Sequence, residues 1–226
     1  MTYANVSRGI FIRRVNRFVA EVETDGRTER VHVKNTGRCK ELLIPGATVF
    51  LNETMNPHRS TKYDLVAVEK GNRLVNVDSI APNIAFREFL HSGRYLDDVM
   101  VVRTEARYAT SRFDFYVEAG GHRIFIEVKG VTLEENGIVL FPDAPTLRGV
   151  KHLDELAACI SDGYEARVVF VIQMKDVLYF TPNHRMHPAF GEALVRARNA
   201  GVLVEAYDCI VTPNSMTIGS QVEVRL

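Results

Sequence analysis

The sequence predicts a mixed architecture in two parts: an OB-like β-barrel over residues 1–80, then an α/β domain with a central mixed sheet over residues 81–226. Three observations point there. Between Gly9 and Ser79 the apolar residues fall in short alternating runs split by turn signals. After Ala81-Pro82 the chain switches to extended and helical segments in alternation. Charge divides at the same place: residues 1–80 carry 13 Lys and Arg against 9 Asp and Glu, and the remainder 15 against 19. A basic first part beside an acidic second part fits a phosphate-binding module next to a metal-binding one, and equally a solvated surface with no partner.

In the first part, Ile10–Val15, Phe18–Thr24 and Thr28–Lys34 read as strands. Asp25-Gly26 closes a hairpin because both residues tolerate the left-handed conformation. A short helix is expected over Arg38–Leu43, ended by Pro45-Gly46. Thr48–Asn52 is extended, Met55–Thr61 is a polar loop, and Tyr63–Glu69 and Leu74–Val77 pair about Gly71-Asn72. Five or six strands at this spacing close as a small barrel, a fold whose basic groove often holds oligonucleotides. Arg13 and Arg14 are candidate phosphate contacts on it. The turn Asn35-Thr36-Gly37-Arg38 has two readings. Its amides could cradle an anion with Arg38 and Lys40 at hand, or it is a plain strand exit with Thr36 as a helix cap.

In the second part, Pro82–His91 reads as a helix stopped by Ser92-Gly93, and it carries Glu88, a candidate outer carboxylate. Met100–Arg107 is a strand. Arg112–Glu118 and Ile124–Gly130 are two alternating runs joined at Gly120-Gly121. Ile138–Phe141 is extended, and a helix runs from about Thr146 to Ser161 with Arg148, Lys151 and His152 on one flank. Strands at Ala166–Gln173 and Val177–Phe180, a helix over Pro188–Asn199, a strand at Val202–Tyr207 and an alternating tail complete the chain.

The central hairpin carries the chemistry. Strand periodicity puts Phe113, Phe115 and Val117 on one face and Asp114 on the other; in the second run Ile124, Ile126 and Val128 oppose Glu127 and Lys129. Folding about the glycine pair brings Asp114 opposite Glu127. Mg²⁺ or Mn²⁺ takes oxygen ligands, and Mg²⁺ keeps several waters beside one or two carboxylates, so Asp114 and Glu127 are a metal pair and Lys129 a catalytic helper. The same pattern also describes a solvated strand face. His184 and His187 form a weaker pair, with no third ligand nearby in sequence.

No phosphate loop, dinucleotide fingerprint or serine nucleophile elbow is present. Three separated cysteines among 226 residues fit a reducing cytoplasm better than a disulfide framework. No apolar run is long enough to span a bilayer and no signal peptide is evident, so no membrane partner is expected.

The residues carry a resemblance. Asp114 followed by Glu127-Val128-Lys129, between a helix bearing Glu88 and a later helix, is similar to the PD-(D/E)xK nuclease core. More narrowly, the chain resembles the sugar fermentation stimulation protein family (SfsA). The segments that carry this are Asn35–Arg38, Ser111–Asp114, Ile126–Leu133, Phe141–Gly149 and Lys151–Leu153. It departs at Lys34, where the family usually has Pro, and at Cys39, where it often has Met. The resemblance implies an N-terminal OB-like domain and a nuclease-like domain. It also implies non-specific binding of DNA, with RNA as an alternative, and a link to regulation of sugar (maltose) metabolism. Asp114, Glu127 and Lys129 then read as catalytic, and Asp114, Glu127 and Glu88 as Mg²⁺ or Mn²⁺ ligands. Asn35, Thr36, Arg38, Lys40, Arg13, Arg14, Arg148, Lys151 and His152 read as nucleic-acid contacts. Three readings stay open: a metal-dependent nuclease, a DNA-binding regulator without catalysis, and a small-molecule or partner-binding module whose acidic face is incidental.

Overall fold

The computed structural model describes residues 1–35, 37–56 and 58–226. Six strands come first: β1 (Val6–Arg14), β2 (Val19–Thr24), β3 (Arg27–Val33), β4 (Thr48–Glu53), β5 (Tyr63–Lys70) and β6 (Arg73–Asn76). Their order is β3-β2-β1-β4-β5-β6, and a parallel pairing of β3 with β5 closes five of them into the expected barrel. Alternation fills the interior with Phe11, Ala20, Val22, Val31, Val49, Leu51, Leu65 and Val68, all essentially inaccessible to solvent. Gly9 is required there: a Cβ at that position would lie 2.5 Å from Val22 Cγ1. Asp25 and Gly26 both adopt positive φ, as the β2–β3 hairpin needs.

The second part opens with α1 (Ala81–His91) and then three antiparallel strands, β7 (Val99–Tyr108), β8 (Ser111–Ala119) and β9 (His122–Val131). There follow β10 (Glu134–Glu135), β11 (Ile138–Phe141), α2 (Leu147–Ser161), β12 (Glu165–Ile172), β13 (Tyr179–Pro182), α3 (Pro188–Asn199), β14 (Leu203–Thr212), β15 (Ser215–Gln221) and β16 (Glu223–Val224). The main sheet is mixed, ordered β15-β14-β12-β9-β8-β7, with β9, β12 and β14 parallel. Its central strand β12 is an unbroken apolar run, Val168–Ile172, because helices cover both faces. Phe86, Phe89 and Leu90 of α1 pack on one face; Leu153 and Leu156 of α2 with Phe190 and Leu194 of α3 pack on the other.

Three expectations need correction. No helix forms over Arg38–Leu43: the segment is a turn, with Cys39 at positive φ and the Leu43 amide donating to the Cys39 carbonyl. The strand expected at Val177–Phe180 starts two residues later, because Phe180 must enter the core beside Phe170. It also belongs to a separate small sheet, β10-β11-β13-β16, rather than the central one.

The two parts are joined by polar contacts. Gln173, at the end of β12, donates through Nε2 to the Asn76 carbonyl, the Asn76 side chain and the Asp78 carbonyl. Lys34 reaches Asp78 at 2.6 Å. Lys70 and Arg73 of the barrel clamp buried Glu134 at 2.7 and 2.9 Å. A lone carboxylate at that depth would be costly; two cations and the Gly137 amide offset its desolvation.

Candidate functional site

The β8–β9 hairpin turns at Gly120 and Gly121, both at positive φ. From there the ladder runs down to Phe115 opposite Ile126 and ends. Beyond it the Val128 amide is taken by the Asp114 carboxylate at 2.8 Å instead of by a strand carbonyl. This breaks the strict alternation expected of the run. Phe115 and Val117 face α1, whereas Phe113 packs against Phe125 and His152 on the α2 side. Asp114 is therefore fixed by two donors, the Val128 amide and the Asn83 side chain at 2.7 Å.

Glu127 is nearly inaccessible. One of its oxygens, Oε1, accepts from Lys129 Nζ at 2.5 Å and from His152 at 2.5 Å. Arg148 donates its Nε–H to His152 Nε2 at 3.3 Å, which makes that nitrogen the acceptor and leaves Nδ1–H to donate to Glu127. The other oxygen, Oε2, is buried and has no hydrogen-bond partner among the described residues. Burial pushes the Glu127 carboxyl up, but the His152 hydrogen bond and the Lys129 ammonium outweigh it and hold it below the usual range. Asp114 goes the other way. Burial, and then the Glu127 charge, raise it to about 6 against the pull of Val128, Lys129 and Asn83.

Such a site fits a hard divalent cation. A buried carboxylate oxygen without a donor is expensive, and two carboxylates that raise each other's cost of ionisation are relieved by a shared cation. Among the described residues no three His, Cys, Asp or Glu side chains form a metal-holding group.

The other sequence candidates are placed differently. Glu88 lies outside this cluster; its carboxylate pairs with the Met1 ammonium at 2.5 Å and is 55% exposed. Its place near Asp114 is taken by Asn83, five residues earlier on α1 and so about 140° around the helix. Pro82 is wedged against the strand beyond Lys129, where a Cβ on Gly130 would lie 2.6 Å from its Cγ. The Pro-Asn pair in the first turn of α1 was the available signal.

His152 is buried behind Glu127 and hydrogen-bonds to its carboxylate. Arg148 is exposed beside it, while Lys151 points to the Thr110 carbonyl and Glu155. Arg13 pairs with Glu21 on the barrel surface. Arg14 donates to the carbonyls of Asn16, Arg17, Asn35, Gly37 and Arg38, so it holds the turn instead of meeting a phosphate. In the described part of the turn the amides are taken: the Gly37 amide donates to Asn35 Oδ1 and the Arg38 amide to Asp143 Oδ2. Arg38 and Lys40 are exposed at its edge. Thr36 lies outside the described residues. His184 packs against Gly191, and His187 accepts from the Thr146 amide at 3.4 Å.

Comparison with known proteins agrees with the fold. Residues 12–77 match the SfsA N-terminal OB domain, and residues 80–215 match the sugar fermentation stimulation protein RE domain. The chain belongs to the sugar fermentation stimulation protein family. A sugar fermentation stimulation protein homolog of Desulfitobacterium hafniense is 58% identical over 226 residues, covering 100% of this chain and 99% of its own. One from Ruminiclostridium cellulolyticum is 55% identical with full coverage of both, 100% each. Among solved structures, Pyrococcus furiosus SfsA in complex with Ca²⁺ superposes with a TM-score of 0.91 at 29% identity, over 100% of this chain and 98% of that one. No helix among the described residues is long and apolar enough to cross a membrane.

Proposed function

We propose that the chain is a metal-dependent phosphodiesterase of nucleic acid, DNA before RNA, with Asp114 and Glu127 as the Mg²⁺ or Mn²⁺ ligands. The observation that carries this is the unpartnered, buried Oε2 of Glu127 beside Asp114, with Lys129 and His152 gripping the opposite oxygen. A relative solved with Ca²⁺ supports a hard divalent ion. When bound, such an ion would polarise a phosphoryl oxygen and acidify a water.

The chain's own residues do the rest. His152 fixes the Glu127 carboxylate, and Asn83 and the Val128 amide fix Asp114. Lys129 carries an ammonium at the edge of the pair, able to orient water or neutralise charge on the phosphate. Arg148 offers an exposed guanidinium at the start of α2 for a neighbouring phosphate. The barrel's exposed Arg17, Arg27 and Arg30 supply attraction to the backbone without reading bases. The sugar-fermentation role in the family's name would then be an indirect outcome of acting on nucleic acid.

The test is cleavage of a panel of single- and double-stranded DNA and RNA with Mg²⁺ or Mn²⁺. The expected result is cleavage that disappears with EDTA and in the Asp114→Ala plus Glu127→Ala chain. Salt-dependent DNA binding with no cleavage under any metal would instead favour a regulator that binds without catalysis.

A further inference from the structure

Between the two parts of the chain, where β9 ends, lies a cavity of about 200 Å³. One wall runs from Gly130, the residue after Lys129 on β9, past the end of that strand at Val131 to Leu133. Facing it are Asn35 and Gly37 of the barrel turn and Phe141 and Asp143 of the segment leading into α2. The space is several times the ~30 Å³ share of one water, and smaller than the ~300 Å³ or more of a pocket for a drug-sized molecule.

Its chemistry is wrong for a phosphate. Asp143 places a carboxylate in the wall, and the Gly37 and Arg38 amides are spent on Asn35 Oδ1 and Asp143 Oδ2. It is right for a flat heterocycle with a polar edge. With its Oδ1 held by the Gly37 amide, Asn35 keeps its NH₂ as a donor group. Asp143 accepts the Arg38 amide on Oδ2 and adds a second acceptor oxygen, and Thr132 and the partly buried Phe141 complete the lining. Donors and acceptors beside apolar lining at one small site are what a nucleobase edge requires.

We propose that this cavity receives the base of the nucleotide whose phosphate sits at Asp114, Glu127 and Lys129, drawn out of its stack for the reaction. This rests on the phosphodiesterase reading above. It assigns the barrel turn a specificity role in place of the phosphate role its sequence implies.

The test is an NMR titration of the full chain in Ca²⁺ with the four deoxynucleoside 5′-monophosphates, their ribo counterparts, and deoxyribose 5-phosphate as the base-free probe. Two variants accompany it. Asp143→Asn keeps an acceptor for the Arg38 amide but turns the other oxygen into a donor. Ser79→Phe plugs the rim, where Ser79 is exposed and donates only to the Lys34 carbonyl among the described residues.

At least one nucleotide should bind ten-fold more tightly than deoxyribose 5-phosphate. That advantage should fall at least five-fold in both variants, while binding of the base-free probe stays within two-fold. The deoxy and ribo arms say which nucleic acid supplies the base. Equal binding of the base-free probe, or an advantage that survives both variants, overturns the base pocket and leaves the phosphate site standing. Nucleotide binding that ignores Asp114→Ala plus Glu127→Ala keeps the cavity and sinks the metal site. Absence of binding by every probe overturns both.

Discussion

Asp114→Asn is the most revealing single change. In the absence of metal, the Asp114 carboxyl titrates near 6 in the fold against 3.8 as its ordinary value, because it is buried beside Glu127. A rise of about two units, at ~1.4 kcal/mol each, puts the cost of ionising it in the native state at about 3 kcal/mol. Side-chain relaxation and partial solvent access reduce the recoverable part to about 1–2 kcal/mol. The sign follows from linkage. The folded form holds its proton more tightly than the unfolded one, so the penalty is absent below about pH 4, grows through 6, and is complete above it. In EDTA, Asp114→Asn should therefore be more stable than the parent in urea denaturation at pH 8 and keep only about a third of that advantage at pH 4.5. The new amide keeps an acceptor for Val128 N–H, and Asn83 has only to turn its own amide to accept from it. Ca²⁺ should reverse the order at pH 8, stabilising the parent and leaving the variant unmoved. A variant that is less stable by the same margin at both pH values, or that gains as much from Ca²⁺ as the parent, would refute the reasoning.

Other changes probe the supports. His152→Ala should weaken Ca²⁺ binding by about 10- to 100-fold in calorimetry, as loss of an orienting hydrogen bond does; His152→Asn, which keeps a donor near Nδ1, should recover most of it. Arg14→Ala should cost about 2–3 kcal/mol in urea denaturation, since five carbonyls lose their donor. Arg13→Ala, which breaks an exposed pair, should cost under about 1 kcal/mol. Glu134→Ala should cost about 3 kcal/mol at pH 7 by leaving Lys70 and Arg73 unpaired. Burial raises the Glu134 carboxyl, but Lys70, the Gly137 amide and Arg73 more than offset it and hold it low; the parent's margin over the variant should therefore vanish as pH falls below the usual carboxylate range. Charge reversal at Arg27 and Arg30 should lower DNA affinity and flatten its salt dependence by about one unit per lost phosphate contact, measured by fluorescence anisotropy.

The barrel and the carboxylate pair were legible because short-range rules govern them. A two-residue glycine turn counts the register of the β8–β9 hairpin from Ala119 opposite His122, and that count brings Asp114 toward Glu127 whatever surrounds them. Helix phase is a different matter. Arg148, Lys151 and His152 share a flank by spacing, but packing on the sheet decides which edge of that flank turns inward. Leu153 and Leu156 are drawn into the core, and the rotation carries His152 with them to Glu127 while Lys151 stays in solvent. Spacing within α2 contains no record of that rotation.

The basic residues make the same point from the other side. Charge counting treats every guanidinium in the first part as available, and the fold divides them. Arg14 is consumed by backbone carbonyls up to 24 residues away, Lys34 by Asp78 across the junction, and Arg13 by its strand neighbour Glu21. Arg17, Arg27 and Arg30 remain on the surface. A net charge of one sign is therefore a weak guide to where a polyanion lies, because the cations that build the barrel and dock it to the α/β domain are counted with those that could meet a phosphate. The site itself shows the distinction most clearly. Lys129 and His152 each give one donor to the same oxygen of Glu127, and the informative atom is the other oxygen, which nothing among the described residues satisfies.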